Sequence, residues 1–164
     1  MRTWLGIVLA AFCLFLAGMT PAKAAPLTDD SLKAMLENLG YQVTVSGDKA
    51  PHGYKIGESG NDLDYTVTLE LSTGDPSTVL WIYAGLYEVP SDKPVPSAAL
   101  LALLAKNDDI GPMFFSYATS NKLLYLNAPT ANADITPVIL RQKIRNFVQK
   151  MDSTYSLWNV KDWK

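Results

Sequence analysis

Residues 65–88 read YTVTLELSTGDPSTVLWIYAGLYE. The first eight alternate without a break: Tyr65, Val67, Leu69 and Leu71 fall on one side, Thr66, Thr68, Glu70 and Ser72 on the other. A period of two is the mark of a half-buried strand. TGDPST supplies turn residues, and the chain then alternates again, with Leu80, Ile82, Ala84 and Leu86 on one side. Setting Leu71 opposite Leu80 also sets Leu69 opposite Ile82, Val67 opposite Ala84 and Tyr65 opposite Leu86. Every pair is apolar, and a slip of one residue would turn the whole set to the other face. The stretch predicts an antiparallel hairpin with an aliphatic inner face.

The outer face is less ordinary. It carries Trp81 beside Glu70 and Tyr83 beside Thr68, with Val79 and Tyr87 on the same side. Such a strip suits ordinary packing, including cover by the chain's own tail, and it equally suits an intermolecular contact. Trp158 and Trp163 lie in the tail YSLWNVKDWK, where indoles left free in water are unusual. They either fold back over the aromatic face or form a docking peptide. Trp81, Tyr83, Tyr87, Trp158 and Trp163 are therefore the candidate binding residues.

An inner aliphatic face needs helices to cover it, and three are predicted. PLTDDSLKAMLENLGY has Thr28 as N-cap, Asp29 and Asp30 in the first turn, Gly40 at the end, and a stripe of Leu32, Met35, Leu36 and Leu39. SAALLALLAKN, 97–107, is apolar almost all round, which predicts a buried helix. DITPVILRQKIRNFVQKMDS has Thr136 as N-cap, Pro137 at the first helical position, and Leu140, Ile144, Phe147, Val148 and Met151 at helical spacing. Further strands are expected over Tyr41–Ser46 and Tyr54–Gly57. Another hairpin is expected from Gly111 to Asn127, GPMFFSYATSNKLLYLN, and is read as core. VPSDKPVPS is a proline-rich connector within one domain, since no second core-sized segment needs a linker. The predicted class is α+β: one antiparallel sheet flanked by helices, in the order α-β-β-β(-β)-α-β-β-α.

The chain begins MRTWLGIVLAAFCLFLAGMTPAKAA, with Arg2, an apolar run of 16 residues from Trp4 to Met19, and the small-residue pattern Ala22-Lys23-Ala24. This is the order of a secretory signal, and the run is shorter than the ~20 residues that span a bilayer. The expected division is a signal over 1–24, one α+β domain over 27–158 and a tail over 159–164, with no membrane span after cleavage. The 164-residue chain has 14 basic and 16 acidic residues; losing Arg2 and Lys23 leaves 12 basic ones and a net charge of −4. No basic run points to nucleic acid. Cys13, the only cysteine, leaves with the signal, so stability must come from packing.

Chemistry is thinly represented. His52 is the only histidine, in the loop KAPHGYK, where a lone imidazole is more often exposed than catalytic. No Cys/His nucleophile or zinc cluster can be assembled from the remaining chain. ESGNDLD (58–64) and NDD (107–109) lack the spacing of a calcium loop and stand where turns and helix ends favour such residues. The reading is that there is no catalytic residue, metal or cofactor. A small envelope hydrolase using carboxylates is the alternative from another class, and a purely structural envelope protein is a third.

The segments GPMFFSY, KLLYLNAP and ITPVILRQKIRNFV, with the order of elements from Leu27 to Trp158, resemble the YbjN-type family, which shares the fold of type III secretion chaperones. The resemblance implies a non-catalytic α+β domain, often a homodimer, that holds extended client segments on exposed apolar patches. Those chaperones work in the cytoplasm, and a secretory signal departs from that. The expectation is a periplasmic or secreted, chaperone-like domain binding a protein partner or a second copy of itself.

Overall fold

A computed structural model describes residues 24–74, 76–90 and 95–163. The signal segment and Cys13 lie outside the described residues, Ala24 excepted. The elements are α1 (Asp29–Asn38), β1 (Thr44–Ser46), β2 (Gly53–Ser59), β3 (Asp64–Leu71), β4 (Val79–Glu88), α2 (Ser97–Ile110), β5 (Phe114–Ala118), β6 (Leu123–Ala131), α3 (Pro137–Ser153) and α4 (Tyr155–Trp158), with a 3-10 turn over Val160–Asp162. The protein is an α+β domain with one six-stranded antiparallel sheet, ordered β1-β2-β3-β4-β6-β5.

The β3–β4 ladder pairs Leu71 with Leu80 and Leu69 with Ile82, the expected register. Their inner face meets α3, whose Leu140, Ile144, Phe147, Val148 and Met151 are all buried, and α1, which contributes Leu32 and Leu36. Leu69, Ile82, Ile144 and Phe147 are each at most 1% exposed. Burying a side chain of this size is worth about 2 kcal/mol. The Gly111–Asn127 hairpin is core in its second strand, because β6 sits between β4 and β5 and buries Leu124, Leu126 and Ala128. Its first strand, β5, is the sheet edge.

Two expectations need correction. The segment at Tyr41–Ser46 is a strand over Thr44–Ser46 alone. The second concerns α2, which buries only Leu103 and Ile110, while Leu100, Leu101 and Leu104 are 41%, 64% and 63% exposed. The reason is geometric: a helix beside a sheet edge has one stripe facing the core, so leucines all round cannot all be covered.

Polar side chains hold the ends of this packing. Asn132, 2% exposed, accepts from the Leu27 N–H at 2.9 Å and donates to the carbonyls of Leu27 and Ser77 at 2.8 and 3.0 Å. It ties the entry to α1 onto the sheet. Asn107 accepts from the Phe115 N–H at 2.6 Å and donates to its carbonyl at 3.3 Å. That side chain occupies the outward backbone groups of Phe115 on an edge strand, which would otherwise be open to another chain. Arg141 donates to the Leu39 carbonyl at the end of α1, at 2.7 Å.

Asn132→Ala strips three backbone groups of their partner, two of them on Leu27, itself 7% exposed. The expected loss is about 3 kcal/mol, a fall in Tm of roughly 10 °C by thermal unfolding. Asn146→Ala, at an exposed position of α3, should change stability by less than about 0.5 kcal/mol.

Candidate functional site

The five candidate residues do not form one surface. On the outer face, Trp81 pairs with Glu70 and Pro129, and Tyr83 with Thr68 and Asn127, all as the outward alternation requires. Tyr83 donates to Glu70 at 2.9 Å and meets Tyr125 edge-on with centroids 6.2 Å apart. Asn127 donates to Ser116 at 2.8 Å. Trp81, Tyr83, Tyr125 and Asn127 are half-buried. The polar groups of this face thus bond largely within it.

Tyr87 leaves that face. The β4–β6 register shifts between Gly85 and Tyr87, so Leu86 is an extra residue and Tyr87 falls opposite Leu124, which is buried on the helical side. A bulge of this kind turns every residue beyond it to the other face. The expected grouping of Tyr87 with Trp81 and Tyr83 is therefore corrected. The tail also goes to the helical side. Trp158, 4% exposed, donates to the Met151 carbonyl at 3.0 Å and meets Tyr65 and Tyr155 edge-on, at 6.5 and 4.8 Å. Trp163 is half-buried against the core and donates to the Leu157 carbonyl at 2.9 Å. The indoles neither cover the aromatic strip nor hang free, and the packed chain runs on through Trp163.

Tyr87 and Trp158 instead line a cleft of about 370 Å³ with Tyr65, Tyr155, Asp64 and Lys161. A second hollow of about 250 Å³ adjoins it, sharing Leu63, Tyr65 and Tyr155 and adding Asp62 and Asp152. The wall between them is held by Asp152, which accepts from Tyr65 at 2.6 Å and from the Asn61 N–H at 3.0 Å. Burial, that hydrogen bond and the nearby negative charge push the Tyr65 hydroxyl well above its usual range, so it stays a donor. Gly60 lies so close that a Cβ there would stand 2.3 Å from Asp152 Oδ1 and 2.6 Å from the Tyr65 ring.

Asp152 is already held by two donors, and Asp64 accepts from Ser59 at 2.8 Å. Elsewhere, Asp29 accepts from the His52 N–H at 3.0 Å and contacts His52 Nδ1 at 2.5 Å, pinning the loop before β2 to the start of α1. Burial pushes the Asp29 carboxyl up, but hydrogen bonds from the His52 ring, the His52 N–H and Tyr54 outweigh it and hold the carboxyl below its usual range. That is the opposite of what a general acid needs. Tyr41, Tyr54 and Tyr83 have hydroxyls raised by burial and by bonds to Glu58, Asp29 and Glu70, Tyr41 to about 12. Among the described residues no group of three or more His, Cys, Asp or Glu side chains is placed to hold a metal ion.

Sequence reasoning missed two features. The leucines at 100, 101 and 104 were readable in principle, because LLALL on a short helix holds more apolar surface than one stripe can bury. The cleft has no local signal: its walls come from β3, β4, the β2–β3 loop and α4.

No protein-family model matches the chain, and no curated protein matches it. No helix among the described residues is long and apolar enough to cross a membrane.

Gly60→Ala should cost about 2 kcal/mol in thermal unfolding, because the new methyl must displace a carboxylate that holds Tyr65 and Asn61. Gly57→Ala, with nothing within 4 Å of its Cβ, is the neutral control. The Asp29 bonds also fix a pH dependence. A carboxyl depressed in the folded state adds stability above its unfolded pKa of about 3.9, and loses it as pH falls through the lower folded value. Asp29→Asn should therefore lower Tm by several degrees at pH 7 and by much less near pH 3. The raised tyrosines act at the other end: unfolding should become easier above about pH 10, where only the unfolded chain gives up those protons.

Proposed function

We propose that this chain is a non-catalytic, chaperone-like binding domain of the periplasm or the extracellular medium that holds a protein partner on the exposed face of α2. The observation that carries this reading is the exposure of Leu100, Leu101 and Leu104, at 41%, 64% and 63%, on one short helix. Single exposed leucines are ordinary, but three within five positions of one helix form a patch of the kind used for contact. The aromatic sheet strip is the lesser candidate, because its Tyr83, Glu70, Asn127 and Ser116 already bond among themselves. Asn107 supports contact through side chains rather than by strand addition, since it occupies the outward backbone of Phe115 near the start of the β5 edge. The resemblance of the sequence to YbjN-type proteins points the same way, and the signal-like leader supports the location.

A photo-crosslinking amino acid at position 101, in cells expressing the full chain, should give a discrete adduct. One at exposed position 55, on β2, should give none. A doubled mass would identify the partner as a second copy of the chain. Leu101→Glu with Leu104→Glu should remove the adduct formed from position 100 and leave the Tm within about 2 °C. Equal adducts from positions 55 and 101 would refute the assignment.

A further inference from the structure

We propose that the cleft between the β2–β3 loop and α4 binds a small quaternary ammonium compound, with Tyr65, Tyr87, Tyr155 and Trp158 as its aromatic walls. The site is separate from the leucine patch of α2 and does not rest on the protein-binding reading.

Size comes first. The cleft of about 370 Å³ is at the small end of ligand sites, which run roughly 300–1,000 Å³, and a compact head group suits it better than a chain or a fused ring system. Ring geometry comes second. Trp158 makes interplanar angles of 69° with Tyr65 and 85° with Tyr155. Rings set nearly at right angles form a corner, not a platform. A flat sugar ring can lie against only one of them, whereas a rounded trialkylammonium presents methyl groups to both. The faces of aromatic rings are negative, so a cation there gains an attraction that a neutral group of the same shape does not.

Charge points the same way. Asp64 lines the cleft and Asp62 and Asp152 its adjoining hollow, and among the described residues Lys161 is the only cationic one that lines either. Asp62 and Asp64 are exposed, so their field reaches the opening. Preformed order supports the assignment too: Trp158 and Tyr65 are fixed by bonds to Met151 and Asp152, leaving Tyr155, 39% exposed, as the accessible wall.

The test compares choline with 3,3-dimethylbutan-1-ol, its neutral isostere, and with N-acetylglucosamine, by calorimetry and tryptophan fluorescence on the purified protein. Choline should bind saturably and about tenfold more tightly than the isostere, a difference that converts to about 1.4 kcal/mol. Tyr155→Ala should weaken choline about tenfold, and Tyr155→Phe should leave it within twofold. Asp62→Asn, at an exposed position, should weaken it a few-fold with no change in Tm, which keeps the test alive if Tyr155→Ala does not fold. Equal affinity for choline and its isostere would overturn the proposal. So would preference for the sugar, or no saturable choline binding at tens of millimolar. Leu101→Glu should bind choline as the parent does, so failure of the α2 reading and failure of this one are distinguishable.

Discussion

The contact on which the rest depends is the aliphatic face of β3 and β4 against α3. Val67, Leu69, Leu80 and Ile82 meet a helix stripe of Leu140, Ile144, Phe147 and Met151, and none of the eight is more than 1% exposed. The described residues contain no cysteine, so no covalent link shares the task. Because strand side chains alternate and this face is apolar in every paired position, the sheet has one register that buries it. β2 and β6 are then built outward from a fixed pair, and the two helices close over one side.

Polar groups finish what burial begins. Among the described residues no buried side-chain nitrogen or oxygen lacks a partner. Asn132, Asn107, Arg141 and Asp152 each join segments distant in sequence or close an open backbone end. Such bonds add little net energy when made and cost much when broken, so they specify where loops lie more than they drive folding. Asp152 shows the consequence. By holding Tyr65 and the Asn61 backbone, one carboxylate fixes the loop that separates the cleft from its neighbour.

The two proposed contact regions differ in origin. The α2 patch is surplus apolar surface, left over because a short helix beside a sheet edge has too many leucines for one stripe. The cleft arises where the C-terminal turn folds back beside the start of β3 and the bulged end of β4. The first suits a broad partner surface, the second a small ligand, and the residues of one do not enter the other.

Alternation and helical spacing were enough to read the class, the element order as far as α3, the β3–β4 register and the buried stripe of α3, because each rests on neighbours within one or two turns or a single hairpin. Thr28, Thr136 and Pro137 marked helix starts for the same local reason. The placement of β6 beside β4, the bulge that sends Tyr87 to the helical side, and the folding of Trp158 against Tyr65 were not legible. Those depend on partners far along the chain, as in the Val79–Ala131 pairing and the Tyr65–Asp152 bond, whose residues stand 87 apart. The sequence by itself determined which faces of β3, β4 and α3 had to be inside, because each is a single-period pattern within one element. Only the tertiary structure decided which of the remaining aromatic and leucine side chains share a surface, because that follows from how separate elements meet and not from the period of any one of them.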